Sequence, residues 1–348
     1  MHAHLDSFGH PRISRSYGSL WQKMLPDANG LQVDDRTPEL LVQFGLGLRA
    51  SNVWYGHAWT VTLVQPHLPE GFEALCQAEG RPFLTYAASG WCFVEASLSS
   101  LVKVGGYGAR RIDIGKYTTG SYNMQPLMSM PYLTDAMLHC SSATRPPPML
   151  PSKVAAELDT KSFFSTGDIP KVAQLYEAFF DAVAPSQTVL ELRNLDWGAA
   201  EAAVLAAALP RFERLVTLDV SNNMFDPEGA KALAEALRAN SSLTDLKVKS
   251  CGIRDEGASA IAMALKANVA SKVATLNLSY NGIGDEGAEA LAALCVASGS
   301  LTKLDIQGNH SICEKGKTAL REAREALWQE VRAGHGVALP ISRAKNSL

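Results

Sequence analysis

The stretch that decides the fold is Val273-Ala274-Thr275-Leu276-Asn277-Leu278-Ser279-Tyr280-Asn281. Its pattern has apolar residues at the first, fourth and sixth positions and asparagine or cysteine at the ninth, and it returns at residues 215–223, 243–251 and 301–309. The successive starts are separated by 28, 30 and 28 residues. A degenerate copy, the Leu-Glu-Leu segment 190–192, lies 28 residues before 218–220. A fixed period of this length predicts a solenoid of stacked coils.

Each copy predicts a short strand, a turn and a helix. Apolar and polar residues alternate in Leu276-Asn277-Leu278, which is the period of a half-buried strand. Small residues, mainly alanine, fill the segments that follow, so we expect thin helices at 228–237, 256–265 and 286–294. One turn position recurs, where a buried side-chain amide donates to carbonyls of neighbouring coils. The ladder that this predicts consists of Asn223, Asn281 and Asn309, with Cys251 and Leu195 in the same slot of the other two copies.

Aspartate and glycine mark the predicted helix starts. Asp255 and Asp285 each precede a glutamate, and we expect each carboxylate to cap its own helix at the positive end of the dipole. Gly257 and Gly287 predict a close approach of the helix start to backbone. The segment 317–331 carries an apolar stripe and otherwise charged residues, so it predicts a helix that closes the array with a polar outer surface.

The repeats resemble the leucine-rich repeat family, in its long ribonuclease-inhibitor-like form, over about residues 187–330. The resemblance implies an α/β fold, namely a short leucine-rich-repeat solenoid arc of parallel strands and helices. We expect a smaller α/β or α+β domain before it. The resemblance also implies an interaction module or scaffold that binds a protein partner on the concave face of the sheet, without a cofactor.

Outward positions of the predicted strands form polar columns across the coils. Neighbouring strands lie about 4.8 Å apart, so equivalent residues of successive copies stand side by side. Lys247, Lys249 and Tyr280 are the favoured contacts, because aromatic and long cationic side chains are prominent in binding hot spots. The full predicted partner-binding set is Glu191, Arg193, Asp219, Asn222, Lys247, Lys249, Asn277, Tyr280, Asp305 and Gln307.

The chain before the repeats divides by composition. Residues 1–37 are rich in glycine, proline, serine and histidine without periodicity and predict a flexible segment. Residues 38–144 predict the N-terminal domain, with a helix at 93–102 and a strand at 110–114. A proline-rich connector with docking helices is expected at 145–186, where Asp168 would cap a helix that packs on the first coil. The repeat domain and its capping helix are assigned to 187–332, and a flexible tail to 333–348.

Two further resemblances concern the N-terminal half. Residues 68–95 and 163–176 resemble an uncharacterised domain of unicellular algal proteins, which implies no particular activity. Residues 86–95, Tyr-Ala-Ala-Ser-Gly-Trp-Cys-Phe-Val-Glu, are also similar to a box of TIR domains. In TIR enzymes that cleave NAD the glutamate of this box is catalytic. The resemblance therefore implies an alternative function as an NAD-cleaving or signalling enzyme, with Glu95 as its carboxylate.

A third alternative is a GTPase-activating regulator. The long repeats are similar to those of a GTPase-activating family, whose functional residue lies in an early repeat. Arg193 is the candidate arginine in the early copy of this chain, although no motif surrounds it.

The amino-acid composition argues against several other classes of function. The 348 residues are 47% hydrophobic and 19% charged, with a formal net charge of -3. This near-neutral charge argues against a generally basic nucleic-acid binder, and no apolar run approaches the roughly 20 residues of a membrane span. Six scattered cysteines without paired spacing predict neither a disulfide framework nor a metal site. We expect a soluble cytoplasmic protein with no metal and no cofactor, and the pattern leaves its oligomeric state open.

Overall fold

The computed structural model describes residues 63–64, 71–78, 80, 85, 88–102, 111–113, 141–143, 145–163 and 166–332. Its elements fall into an N-terminal group and a regular series. The N-terminal group consists of β1 (Leu63–Val64), α1 (Phe72–Ala78), α2 (Gly90–Val102), β2 (Arg111–Asp113), β3 (Ser141–Ala143), α3 (Pro151–Leu158) and α4 (Ile169–Val183). The series consists of β4 (Val189–Glu191), α5 (Ala199–Ala208), β5 (Thr217–Asp219), α6 (Asp226–Leu237), β6 (Asp245–Lys247), α7 (Arg254–Ala267), β7 (Thr275–Asn277), α8 (Asp285–Ala297), β8 (Lys303–Asp305) and α9 (Glu314–Arg332).

The regular series forms five coils, each a strand followed by a helix. The strands β4 to β8 make one parallel sheet in chain order. Its register is unbroken, because one leucine per strand pairs with the equivalent leucine of the next: Leu190, Leu218, Leu246, Leu276 and Leu304. All five of these leucines are buried. The helices α6, α7 and α8 cover the three predicted segments and extend slightly beyond them. The predicted α/β leucine-rich-repeat fold is confirmed.

The predicted asparagine ladder is present at the turns that follow the strands. The Asn281 amide nitrogen Nδ2 donates to the carbonyl of Val248 in the preceding coil at 2.6 Å, and its Oδ1 accepts from the Cys251 backbone N–H at 2.8 Å. Asn223 and Asn309 bond the coils before them in the same way. The Cys251 thiol takes the amide's place at 3.3 Å from a carbonyl of the second coil. Each of these side chains therefore satisfies backbone groups of the coil before its own.

The starts of α8 and α9 are capped from the preceding coil. We expected Asp255 and Asp285 to cap their own helices, and this was wrong. Asp255 lies inside α7, and its Oδ1 accepts from the N–H groups of Gly284 and Gly287, at 2.7 and 2.8 Å, at the start of α8. Asp285 does the same for α9, through Cys313 and Gly316. The physical reason is the stacking, which brings each carboxylate under the orphan donors of the next helix.

The glycines at these helix starts are required by that close approach. A Cβ atom at Gly287 would lie 2.7 Å from Asp255 Oδ1 and 3.2 Å from Asp255 Cα. A Cβ atom at Gly257 would lie 2.7 Å from the Cβ of Ala230 in the preceding helix. The predicted close approach of the helix starts is confirmed, and its partners are the preceding coils.

An alanine substitution at Asp255 tests the cap between coils. Asp255→Ala leaves two N–H groups of α8 without their acceptor, so we expect a loss of about 1 kcal/mol in the free energy of unfolding, typical of a lost cap. Urea denaturation followed by circular dichroism measures it. Glu256→Ala is the matched control, since Glu256 is the exposed neighbouring acid in the same helical turn. Equal losses in the two variants would contradict the cap.

The N-terminal group contains a small sheet and four helices, of which α4 packs on the first coil. The strand β1 pairs in parallel with β2, and β2 pairs antiparallel with β3. The predicted helix at 93–102 and the predicted strand at 110–114 are confirmed as α2 and β2. The rings of Phe180 in α4 and Phe212 after α5 meet edge to face, with their centroids 6.0 Å apart. This contact confirms the predicted packing of α4 on the first coil.

Asp168 has a different role from the predicted one. Its side chain makes no cap hydrogen bond at the start of α4. The carboxylate instead accepts from the indole Nε1 of Trp91 at 3.4 Å and from the Lys171 ammonium at 3.3 Å. Asp168 therefore ties α2 to α4.

The proline-rich connector is part of the core. Arg145 is 3% exposed, and its Nη1 donates to the Ser99 carbonyl of α2 at 3.1 Å. Its own carbonyl accepts from the indole Nε1 of Trp197, in the first coil, at 2.8 Å. One contiguous apolar cluster runs from Val94 in α2 to Ala323 in α9. The domain boundaries stay predictions, and the predicted segments 1–37 and 333–348 lie outside the described residues.

Candidate protein-interaction surface

The strand face is the side of the five-stranded sheet turned away from the helices. Pairing sets the residues of the first column beside one another, and backbone bonds such as Asn222 N to Lys249 O and Tyr280 N to Gln307 O continue the alignment. All ten predicted contact residues lie on this face. We define the face by three columns: Glu191, Asp219, Lys247, Asn277 and Asp305; Arg193, Ser221, Lys249, Ser279 and Gln307; and Asn194, Asn222, Ser250, Tyr280 and Gly308.

The third column has an unusual backbone conformation. Its φ values are 58° at Asn194, 57° at Asn222, 53° at Ser250, 57° at Tyr280 and 76° at Gly308. Asparagine and glycine adopt this left-handed region at small cost, whereas a bulky residue there is uncommon. The turn therefore holds an aromatic side chain at a position where the backbone favours a small or amide residue.

Tyr280 is exposed but fixed in position. Of its surface 47% is open to solvent, and among the described large apolar side chains that are exposed it is the one aromatic. Its ring lies against the backbone of Gly308 in the next coil, because a Cβ atom at Gly308 would lie 2.4 Å from Tyr280 Cδ1. From the preceding coil, the Lys249 ammonium lies 5.1 Å from the ring centroid. The ring therefore has a contact in each neighbouring coil.

Six of the predicted contact residues are engaged within the sheet. Asp219 is only 7% exposed, and its Oδ1 accepts from the Ser221 N–H at 3.0 Å. The same local bond occupies Asn277, which binds Ser279, and Asp305, which binds Gln307. Glu191 and Lys247 have ionic partners, Arg193 at 3.5 Å and Asp245 at 3.1 Å. The other four predicted residues, Asn222, Lys249, Tyr280 and Gln307, are all exposed.

Arg193, the candidate residue of a GTPase-activating function, lies on the strand face beside Glu191. Its side chain is 45% exposed, and the Nη2–Oε2 distance of 3.5 Å makes a weak surface ion pair. The GTPase-activating alternative stays a prediction.

Glu95, the candidate carboxylate of NAD cleavage, lies half-buried in α2. The neighbouring Trp91 anchors this helix by its bond to Asp168. Burial raises the pKa of the nearby Cys92 thiol, and the charge of Glu95 raises it further, although a hydrogen bond from Ser89 opposes the shift. The resemblance to the TIR box and to the algal domain is not confirmed, and NAD cleavage stays a prediction.

The described cysteines are free thiols, and Cys251 and Cys295 are buried. Burial raises the pKa of both Cys251 and Cys295 to about 11, so these thiols stay protonated at neutral pH. Within the described ranges, no group of three or more histidine, cysteine, aspartate or glutamate side chains could hold a metal ion. In the same part of the chain, no helix is both long and apolar enough to cross a membrane.

Two features of the surface were not foreseen from the sequence. Met224 is 64% exposed at the edge of the strand face, directly after the ladder residue Asn223. Asn268 forms a second link between coils on the helix side, because its Nδ2 donates to the carbonyls of Leu237 and Asn240 at 2.8 and 2.7 Å. An asparagine at the end of a helix was the available signal for this second link.

Comparison with known proteins supports the repeat assignment. Residues 215–234, 239–262 and 270–292 match the sequence profile of the leucine-rich repeat family. The solved structures that are similar to this chain include the actin-binding site 2 of leiomodin-1, at 20% identity and a TM-score of 0.36, over 44% of this chain and 88% of that one. The curated proteins contain no significant match. Three matched repeats and the observed strand and helix order show that residues 215–292 are leucine-rich repeats.

Proposed function

We propose that this protein is an interaction module that binds a protein partner on the strand face, with Tyr280 at the centre of the contact. The observation that carries the proposal is the conformation of Tyr280, which is half-exposed at a φ of 57°. A bulky side chain in this region of backbone space is strained, and such strain concentrates at functional positions. A small or amide residue would serve the turn alone, as in the other four coils.

The surroundings of Tyr280 suit a binding hot spot. Its ring contacts Gly308 on one side and receives Lys249 from the other, so little freedom is lost when a partner covers it. Around it lie polar residues whose hydrogen bonds are largely made within the sheet, such as Asn277 and Asp305. A rigid aromatic anchor within a polar rim is typical of protein interfaces.

A comparison of captured proteins tests the proposed function. Purified full-length protein and the double variant Lys249→Glu/Tyr280→Ala are immobilised and exposed to lysate of the source cells, and the bound proteins are compared by quantitative mass spectrometry. We expect at least one protein to fall by tenfold or more with the variant, since truncating a hot-spot residue costs about 2 kcal/mol.

The matched control changes the opposite side of the repeats. Met263→Ala/Val296→Ala removes two exposed apolar side chains from α7 and α8, and we expect it to capture the same proteins as the unchanged chain. Circular dichroism and denaturation midpoints establish that both variants are folded. The proposal is wrong if the strand-face variant retains every captured protein, or if the control loses the same ones.

A further inference from the structure

The positive charges of the central strand face are not equally neutralised. Lys247 has an ion pair with Asp245 at 3.1 Å, and Arg193 has one with Glu191 at 3.5 Å. Lys249 is exposed, and within the described part of the chain no carboxylate lies within ion-pair distance of its ammonium. Its contact is the ring of Tyr280, 5.1 Å away at the centroid. An aromatic ring orients a cation without cancelling its charge.

The residues next to Lys249 in its own column are hydrogen-bonding groups without charge. It stands there between Ser221 and Ser279, the exposed amide of Asn222 lies in the adjoining position of the third column, and that of Gln307 lies two coils on in its own column. In the first column its neighbours are Lys247, which is paired with Asp245, and Asp219, whose Oδ1 accepts from the Ser221 N–H. This surface offers one unpaired ammonium, amide and hydroxyl donors, and a phenol.

Gly308 fixes the orientation of the ring that faces the cation. A side chain at this position would displace Tyr280, because a Cβ atom would come within 2.5 Å of both Cδ1 and Cε1 of the ring. Glycine at φ 76° also satisfies the turn. Because Gly308 has no side chain, the Tyr280 ring can lie where it contacts the Lys249 ammonium.

We propose that Lys249 and Tyr280 form a clamp for the carboxylate of an acidic, extended segment of the protein partner. This assignment rests on the proposed function and names the partner's chemistry. A carboxylate beside Lys249 supplies the missing counter-charge and accepts from the neighbouring amides, while the chain that carries it packs against the ring. The interaction weakens with salt, because the pair lies at the surface.

Defined peptides test the clamp independently of any captured partner. The acidic probe is a fluorescein-labelled Gly-Ser-Glu-Glu-Glu-Glu-Ser-Gly peptide, and matched probes carry glutamine or phosphoserine in place of glutamate. Anisotropy is measured with the full-length protein at 50 mM and 500 mM NaCl. We expect the glutamate peptide to bind at least tenfold more tightly than the glutamine peptide at low salt, with this preference lost at high salt.

Variants assign the binding to the clamp. Lys249→Glu and Tyr280→Ala should each weaken binding of the glutamate peptide tenfold or more. Gly308→Ala should weaken it severalfold, because its Cβ displaces the ring and alanine is strained at this φ. Lys272→Glu is the charge-matched control at an exposed lysine outside the strand face, and it should bind like the unchanged protein. Circular dichroism confirms that each variant is folded.

Three outcomes overturn the clamp. They are equal binding of the glutamate and glutamine peptides, the absence of binding up to 1 mM peptide, and unchanged binding by Lys249→Glu. Tighter binding of the phosphoserine peptide would also replace the carboxylate by a phosphate and reject the assignment. If the capture experiment succeeds while the acidic peptide shows no preference, the proposed function stands and only the partner's chemistry is wrong.

Discussion

Replacing Asn281 with leucine should lower the free energy of unfolding by about 3 kcal/mol or more, because the change leaves several buried backbone groups without a partner. Asn281 is 2% exposed. Its amide serves the Val248 and Ser279 carbonyls and the Cys251 N–H, at 2.6, 3.3 and 2.8 Å. Leucine has a similar volume but makes none of these bonds. Urea denaturation followed by circular dichroism measures the loss from the shift in midpoint.

The control for this variant lies in the same coil, on the strand that precedes the turn of Asn281. Asn277→Ala removes an amide of the strand face whose bonds run only to Ser279, two residues away. We expect it to cost under about 1 kcal/mol, as most surface substitutions do. The ladder does not stabilise the array as described if Asn281→Leu and Asn277→Ala shift the midpoint equally.

Removal of the Trp197 side chain should be of similar severity. Trp197 is 1% exposed in the first coil, and its indole Nε1 donates to the Arg145 carbonyl at 2.8 Å. Trp197→Ala empties a large volume and unpairs that carbonyl, so we expect a loss of about 3–5 kcal/mol, measured by the same denaturation experiment. Trp197→Phe retains most of the ring volume and should lose less, which separates the packing from the hydrogen bond.

The matched control for Trp197 is the other tryptophan described at a helix contact. Trp91→Phe removes an indole that is only half-buried and whose bond to Asp168 is long, at 3.4 Å. We expect its cost to stay near or below 1 kcal/mol. A Trp91→Phe variant that is destabilised as strongly as Trp197→Ala would show that the buried connection through Arg145 is not the stronger of the two.

The repeats were predictable because their determinants recur in phase. The ladder slot of Asn281 and the buried position of Leu276 follow from comparing copies that all fill the same environment. Asp255 was assigned to the wrong helix because local capping preference ignores which coil lies above it. Its own helix α7 begins after Ile253, whereas the N–H groups that lie nearest its carboxylate belong to the start of α8 in the next coil. Sequence spacing cannot supply that distance before the stacking is known.

The candidate site was predictable as a set of positions but not as a set of contacts. Alternation placed Asp219 and Tyr280 on the same face, and both lie there. It could not show that Asp219 turns toward Ser221 and is buried, or that Gly308 makes room for the Tyr280 ring. These contacts depend on side-chain torsions and on the neighbouring coil. Trp197 was overlooked because its copy departs from the pattern, although the equivalent positions of the next three coils, Phe225, Ile253 and Ile283, are also apolar and buried.

The links between coils run in both directions along the chain. Asp255 reaches forward to the next helix start, whereas Asn281 reaches back to the preceding turn. Within the third to fifth coils, a gene duplication that spans one whole period leaves each forward and backward hydrogen bond with a partner. A change of only a few residues in the same stretch removes both partners together. Lineages of this protein are therefore expected to differ in length by whole coils within the array.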